Sequence, residues 1–452
     1  MFNKFETEDI SKLLVQFSLP AIAGMIIHSC YNIVSRMFVG NMGNDGHLGL
    51  AALAVVFPVM LLFFSICVLF GLGGANLYSI KLGEKKYDEA ENILGMAILS
   101  GSIVTAIICI PAYFFSADLL TFFGASNDVL PYANAYFKII ALSSVIGCIG
   151  FTVNAFVRAD GSPTVAMNTM IIGAVFNIVA SPIFLFVLKW GMTGLALATA
   201  IGQCLTMLWV LYYFCSKKAN IQLNKKMFKL NLPLIFKIAS MGMPPCAMQL
   251  INSFIMFFLN KSLVTYGGDM AISAMGIVMS IQTIMIMPIV GLSQGAQPII
   301  GYNFGAGIFS RVEETVKKAI FYGTIFVLFV FLLMRFFPSQ IMTLFTQNPA
   351  LRELGIKCMN TWFLALPLIA IQILGSCYFQ SIGKVLPSLF LTSTRQLIFL
   401  IPAIYFLPIF WKFDGLLYAA PLSDFLSTIL TAIFLFKDIK KEKTRRLKLE
   451  TA

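Results

Sequence analysis

Few residues in this chain could do chemistry, and most of them fall inside long apolar runs. A polar group at such a position is expensive in hydrocarbon and tends to face other protein. Asp424 is the one carboxylate placed unambiguously within a run. It lies about nine residues from one end of its segment, roughly 14 Å deep at a rise of 1.5 Å per residue. A carboxyl group at that depth is a candidate proton carrier. The competing reading is a structural partner for a nearby hydroxyl or for Arg395, the matching cation on the preceding segment. His28 could titrate usefully, although a lone helical histidine more often serves only as a hydrogen-bonding group.

Neutral polar residues fall on single helical faces in both halves of the chain. Gly24, His28, Tyr31, Asn32 and Ser35 share one stripe, and Thr169, Gly173, Asn177 and Ser181 recur at steps of four. Further stripes are Gln249, Asn252, Ser253 and Asn260; then Gln372, Ser376 and Gln380; then Asp424, Thr428 and Thr431. Taken singly, each reads as interhelical hydrogen bonding of about 0.6 kcal/mol. Their recurrence in both halves favours a shared polar cavity, lined by His28, Tyr31, Asn32, Ser35, Asn177, Ser181, Gln249, Asn252, Gln282, Gln380, Arg395 and Asp424. Other chemistries are poorly served. The chain has two histidines, no nucleophile elbow and nine scattered cysteines without metal-ligand spacing. The glycines of Gly71-Leu-Gly73-Gly74 have no strand before them and no Lys-Ser/Thr after them, so they read as helix packing rather than a phosphate cradle. No enzyme site, resident cofactor or confident metal site is expected, a sodium ion near Asn177 being the one metal considered. No ATP-binding domain is present in the sequence, so uphill transport would draw on a gradient of H⁺ or Na⁺.

The elements that must hold these residues are membrane helices. Of 452 residues, 59% are hydrophobic and 12% charged, about half the charged share of a soluble domain. Backbone groups in lipid must be satisfied internally, and long unalternating runs such as 50–70 and 319–337 select helices over barrel strands. Twelve segments exceed the ~20 residues needed to span, at about 13–38, 49–78, 92–116, 131–157, 163–188, 193–215, 233–260, 270–300, 316–337, 356–382, 387–410 and 415–436. The net charge of +12 sits in loops and tail rather than in a patch suited to nucleic acid. Termini and alternate loops hold 22 Lys and Arg against 7 in the other loops, so both termini are expected in the cytoplasm. No cleavable signal peptide is expected, because Glu6, Glu8 and Asp9 precede the first run.

The chain also repeats itself. Trp190-Gly-Met-Thr-Gly194-Leu-Ala-Leu-Ala198 returns as Trp411-Lys-Phe-Asp-Gly415-Leu-Leu-Tyr-Ala419, and Gly74-Ala75 returns as Gly295-Ala296, both 221 residues later. An even number of helices per half makes the repeats parallel, related by a pseudo-two-fold axis along the membrane normal, with substrate at the seam. The expected fold is therefore all-α: one six-helix bundle at 1–215, a linker at 216–231, a second bundle at 232–436 and a basic tail at 437–452.

Several motifs look familiar. Arg158-Ala-Asp160-Gly-Ser162-Pro163, the long run from Gly291 to Gly305, Gln380-Ser-Ile-Gly383-Lys-Val-Leu-Pro387, Arg395-Gln396 before Ile401-Pro402, and Tyr31-Asn32-Ile33-Val34 before Val39-Gly40 carry the likeness. Together they resemble the multidrug and toxic compound extrusion (MATE) family, in particular its MepA-like branch, across essentially the whole chain. The resemblance implies two six-helix bundles in a V and an exporter exchanging substrate for Na⁺ or H⁺. Two departures stand out. Relatives commonly carry an acidic residue where this chain has Ser35, and Asp in an Asn-x-x-x-Asp-Pro pattern that here reads Asn177-Ile-Val-Ala-Ser181-Pro182. A glutamate of some relatives matches Asn154, which the resemblance adds to the expected cavity, while Asp424 matches a common acidic site and is kept. Neutral Ser and Asn cannot change charge with pH, and hard cations usually want a carboxylate among their ligands. Coupling is therefore expected to be atypical and to rest on Asp424.

These features point to a secondary-active efflux transporter for drugs or other small amphipathic molecules, working as a monomer in the cytoplasmic membrane of a bacterium among its lipids. With Arg395 and His28 present and carboxylates scarce, anionic or zwitterionic cargo should be better tolerated than in relatives. The alternative is a flippase for lipids or lipid-linked sugars, which would need a more basic, laterally open cavity than Arg36 and Arg395 provide.

Overall fold

The computed structural model describes residues 3–42, 45–216 and 219–450. Twelve helical segments in it can cross a membrane. The first six are α1 Ile10–Gly40, α2 Gly46–Gly83, α3 Tyr87–Phe114, α4 Leu130–Ala159, α5 Pro163–Val187 and α6 Gly191–Cys215. Then α7 (232–267) and α8 (270–305) are parted by a non-helical turn at Gly268, φ 66°. α9 is Phe309–Phe336, and α10 is Pro349–Trp362 with Leu366–Ser381, bent by 42° at the break. The last apolar stretch, 60 residues from Val385 to Thr444, is about three times what a single crossing needs. It breaks at Trp411 and Lys412, where Lys412 takes φ 49°, giving α11 (385–410) and α12 (413–450).

The helices outrun the apolar segments wherever polar residues continue the turn. α9 begins at Phe309 rather than 316 because Arg311, Glu313, Glu314, Lys317 and Lys318 form helical surface with Lys317–Glu313 and Lys318–Glu314 pairs four residues apart. Short helices at Asn3–Thr7, Ser116–Phe122 and Pro338–Thr343 lie outside the spans. Asp9 caps α1 by accepting from the Lys12 N–H at 3.1 Å, and Asn231 caps α7 through Leu234.

Both termini are bound to the same end of the molecule. Phe5 is buried, stacks on Tyr302 at 5.0 Å and accepts from Arg311 Nε through its carbonyl at 2.9 Å, while Tyr302 donates to Glu6. Past the bilayer, α12 is pinned to the α10–α11 loop: Lys384 reaches Asp438 at 2.5 Å and Glu442 at 3.0 Å, and Tyr378 donates to Asp438. Residues 219–224 also pack here. Asn220 donates its backbone N–H to Asp160, whose oxygens accept from Tyr78 and Tyr213 as well. Burial pushes the Asp160 carboxyl up from its ordinary value, against the pull of these donors.

The apolar cores describe the overall shape. At the end carrying the termini, one core takes residues from both halves, Leu13, Tyr78 and Phe156 together with Ile238, Ile299 and Tyr378. At the opposite end each half has its own core, one around Val56, Val59 and Phe137 and the other around Val278, Met359 and Leu416. Two lobes joined at one end and parted at the other form a V.

Glycine makes the junction possible. A Cβ on Gly242 would be driven into the Leu69 carbonyl, one on Gly73 into that of Ile238, one on Gly83 into that of Tyr302, and one on Gly305 into that of Ile80. On α8 the contact runs on through Gly295 against Ser18 and Gly291 against Ile22, then is lost, for Gly276 faces open space. Gly305→Val should therefore wedge α2 from α8. A thiol at Ser79→Cys, a position 2% exposed, should gain maleimide labelling in that variant, and unchanged labelling would contradict the role given to the glycine junction.

Candidate functional site

The polar residues form two separate centres, one in each lobe. In the second lobe the helix widens at residues 394–400, a π turn just before Pro402. Proline has no N–H to give and its ring crowds the carbonyl a turn earlier, so a widened turn there relieves the clash. This turn carries Arg395 towards α12, where its Nε donates to Asp424 Oδ1 at 2.7 Å. Both side chains are at most a tenth exposed. Ser423 donates to the Arg395 carbonyl at 2.6 Å, bracing the same turn. The adjacent Gln396 donates to Asn252 Oδ1 at 2.9 Å and brings in α7, with Gln249 half-buried three residues away.

Among the described residues the first lobe has no carboxylate away from the helix ends, and its one mid-helix lysine, Lys138 of α4, lies over the Tyr113 ring. Asn177 donates to the Gly173 carbonyl at 2.8 Å, and Gly202 on α6 leaves room for its amide. Its Oδ1 and the Ser181 hydroxyl are buried with no hydrogen-bond partner among the described residues. Tyr31 sits beside Ser35 and Thr199, and Tyr136 of α4 approaches the same Thr199. Thr199 and Gly202, three apart on α6, tie this group to Asn177. His28 and Asn32 are accessible and engaged with one another, Asn32 Nδ2 donating to the His28 carbonyl at 2.8 Å.

Three of the expected cavity residues lie elsewhere. Gln282 accepts from Trp362 Nε1 at 3.1 Å between α8 and α10. Gln380 is buried towards the joined end, its Nε2 without a partner among the described residues. Asn154 donates to the Ala166 carbonyl and accepts from Arg158, so it braces α4 against α5. Conversely, Thr199 and Tyr136 belong to the first centre but do not stand out in the sequence. Each is a single polar group in an apolar run, and only the chain crossing of α1, α4 and α6 brings them together. Ser253 and Asn260 have side chains outside the described set.

The donor sets limit what ions these centres can hold. Among the described residues no group of three or more His, Cys, Asp or Glu side chains could hold a metal. The two orphaned oxygens of Asn177 and Ser181 carry no formal charge, so they do not make a resident cation site of the carboxylate kind. Among the described residues the one carboxylate at depth, Asp424, is already paired.

Comparison with known proteins decides the family. A family model for MatE matches residues 20–183 and again 244–406, once in each lobe. The chain belongs to the MatE family. Two matches in one chain agree with the repeat and with the V. The multidrug export protein MepA of Staphylococcus aureus is 26% identical over 438 residues, 96% of this chain and 96% of its own. A solved structure of the MATE multidrug transporter DinF-BH, in complex with a ligand, is 34% identical, covering 96% of each chain with a TM-score of 0.89. An outward-facing structure of a MATE family multidrug resistance transporter superposes at a TM-score of 0.91 over 98% of both chains, at 24% identity. This MatE chain is thus an all-α, multi-pass membrane transporter of two six-helix bundles.

Removing one member of a buried ion pair leaves the other uncompensated, at a cost of about 3–5 kcal/mol. Arg395→Met and Asp424→Leu should each lower thermal stability in detergent by that order. The double variant should recover much of the loss, and additive losses would mean the two side chains are not coupled.

Proposed function

We propose that this MatE transporter exports small amphipathic molecules, drugs among them, by alternating access of its two lobes, in exchange for protons carried by Asp424. One observation carries the reading: the lobes share a core at one end and part into separate cores at the other, so a cleft opens to one side only. The multidrug relatives and the likeness to an outward-facing fold support it. The basic residues of the termini and their adjoining loops argue for the joined end in the cytoplasm of a bacterial cell, and the open end outside.

The Arg395–Asp424 pair suggests how a proton does work. With Asp424 ionised the pair has no net charge, and the cleft can admit cationic, zwitterionic or neutral cargo. A proton on Asp424 cancels the carboxylate and leaves the Arg395 guanidinium uncompensated, since arginine does not lose its own proton. A cationic cargo is then repelled while the cleft faces outwards. Cargo and proton thereby exclude one another, as exchange requires. The first lobe contributes hydrogen bonds from Tyr31, Ser35 and Asn177 but no carboxylate, so one carboxylate site serves both lobes.

Dye flux in proteoliposomes tests this, with H⁺ and Na⁺ gradients imposed separately. The H⁺ gradient should drive movement of a cationic rhodamine dye in the parent. Asp424→Asn should lose the gradient-driven component while still allowing downhill exchange. Drive by Na⁺ alone, or full H⁺-driven flux in Asp424→Asn, would remove the proposed coupling.

A further inference from the structure

The joined end contains a small polar cavity that neither the cleft nor the Arg395–Asp424 pair uses. It is lined by Asn76 and Ser79 of α2, Arg158 of α4, and Gln294 and Gln297 of α8. Its volume is about 10 Å³ for the centre of a water-sized particle, room for one monatomic particle but not for several.

Arg158 is the unusual member. It is 5% exposed, and its one described hydrogen bond runs from Nη1 to Asn154 Oδ1 at 2.5 Å. No ion pair among the described residues includes it. Asp160, two residues on, is turned away towards Tyr78, Tyr213 and the Asn220 N–H. A guanidinium keeps its charge in any protein setting, and a buried charge without a counter-charge is costly. The C-terminal end of α4 supplies only about half a unit of negative charge.

A second, independent observation points into the same cavity. Among the described residues, Asn76 Nδ2 is a buried donor with no acceptor, and Gln294 Oε1 is a buried atom with no donor. The oxygen and nitrogen of an amide are interchangeable in such an assignment, so Gln294 can turn an N–H inwards. Residues with guanidinium and amide N–H groups then line one cavity, and among the described residues no acceptor bearing negative charge lines it.

We propose that this cavity binds one small inorganic anion of halide size, which bridges the two lobes and stabilises the state closed at the terminal end. Arg158 and Asn76 belong to the first lobe and Gln294 and Gln297 to the second, so the complete site exists only while the lobes are joined. A water molecule would satisfy the amides but not the charge. A polyatomic anion such as phosphate does not fit the volume. The inference is independent of what the cleft transports.

Thermal unfolding of the purified full-length protein tests it, with chloride, bromide or gluconate as the anion at fixed ionic strength and fixed cation. The midpoint should rise saturably with chloride and bromide, because a ligand of the folded state alone stabilises it, and should not rise with gluconate. Asn76→Asp would place a carboxylate beside Arg158 and act as a resident anion. That variant should be insensitive to halide, with a midpoint at or above that of the parent in saturating chloride. Should Asn76→Asp not fold, Arg158→Gln should lose the halide response instead. Crystals grown in bromide should give anomalous density among Arg158, Asn76 and Gln294. Equal midpoints in halide and gluconate, a halide response that survives in the variants, or density for a water alone would overturn the proposal.

Discussion

Hydrocarbon offers a polar group nothing to bond with, and that constraint reaches every level of this molecule. It requires each backbone N–H and C=O to find its partner within the same segment, which leaves helices as the spanning elements. It also raises the significance of every side chain that departs from the apolar rule. The described chain carries most of its charge on exposed loops, helix ends and the tail, so the buried Arg395–Asp424 pair and the buried Arg158 stand out. Their environments differ: the pair is compensated within its own lobe, whereas Arg158 meets only a neutral amide among the described residues.

The same solvent gives no hydrophobic reward for pressing two apolar helices together in lipid, so close packing has to come from shape. Glycines at 73, 83, 242 and 305 let α2 approach α7 and α8 until backbone meets backbone. These contacts are confined to one end. Beyond Gly291 on α8 the partner lobe recedes, and larger side chains build a separate core in each lobe. A V follows from where the small residues stop, and a molecule with a V-shaped cleft has a defined open side. The N-terminal segment around Phe5 and the extended α12 close over the joined end, the first held by Tyr302 and Arg311 and the second by Tyr378 and Lys384.

Asymmetry between the lobes is the second theme. A repeated architecture would permit a charged centre in each lobe, yet the first presents Asn177 and Ser181 with unpaired oxygens where the second presents an ion pair. Neutral oxygens can bind cargo or water by hydrogen bonding, but they cannot switch charge. A chain built this way concentrates its electrostatic change in one lobe and leaves the other for recognition.

Much of this is legible in the residues themselves. Run lengths locate twelve spans, the 221-residue repeat relates the two halves, and Arg395 stands out as a partner for Asp424. Helix ends are less legible, because charged turns such as 309–318 continue a helix without continuing its hydrophobicity. Of the residues expected in the cavity, Asn154, Gln282 and Gln380 went elsewhere, while Thr199 and Tyr136 joined unannounced. Periodicity assigns a residue to a face of its own helix, but which neighbour that face meets depends on crossing angles between distant segments. By itself the sequence determined that this is a repeated helical bundle for a membrane, since solvent choice and span length are properties of local composition. Only the tertiary structure decided which end is closed, that Asp424 is paired and that Arg158 has no ion-pair partner among the described residues, because each depends on packing between helices far apart in the chain.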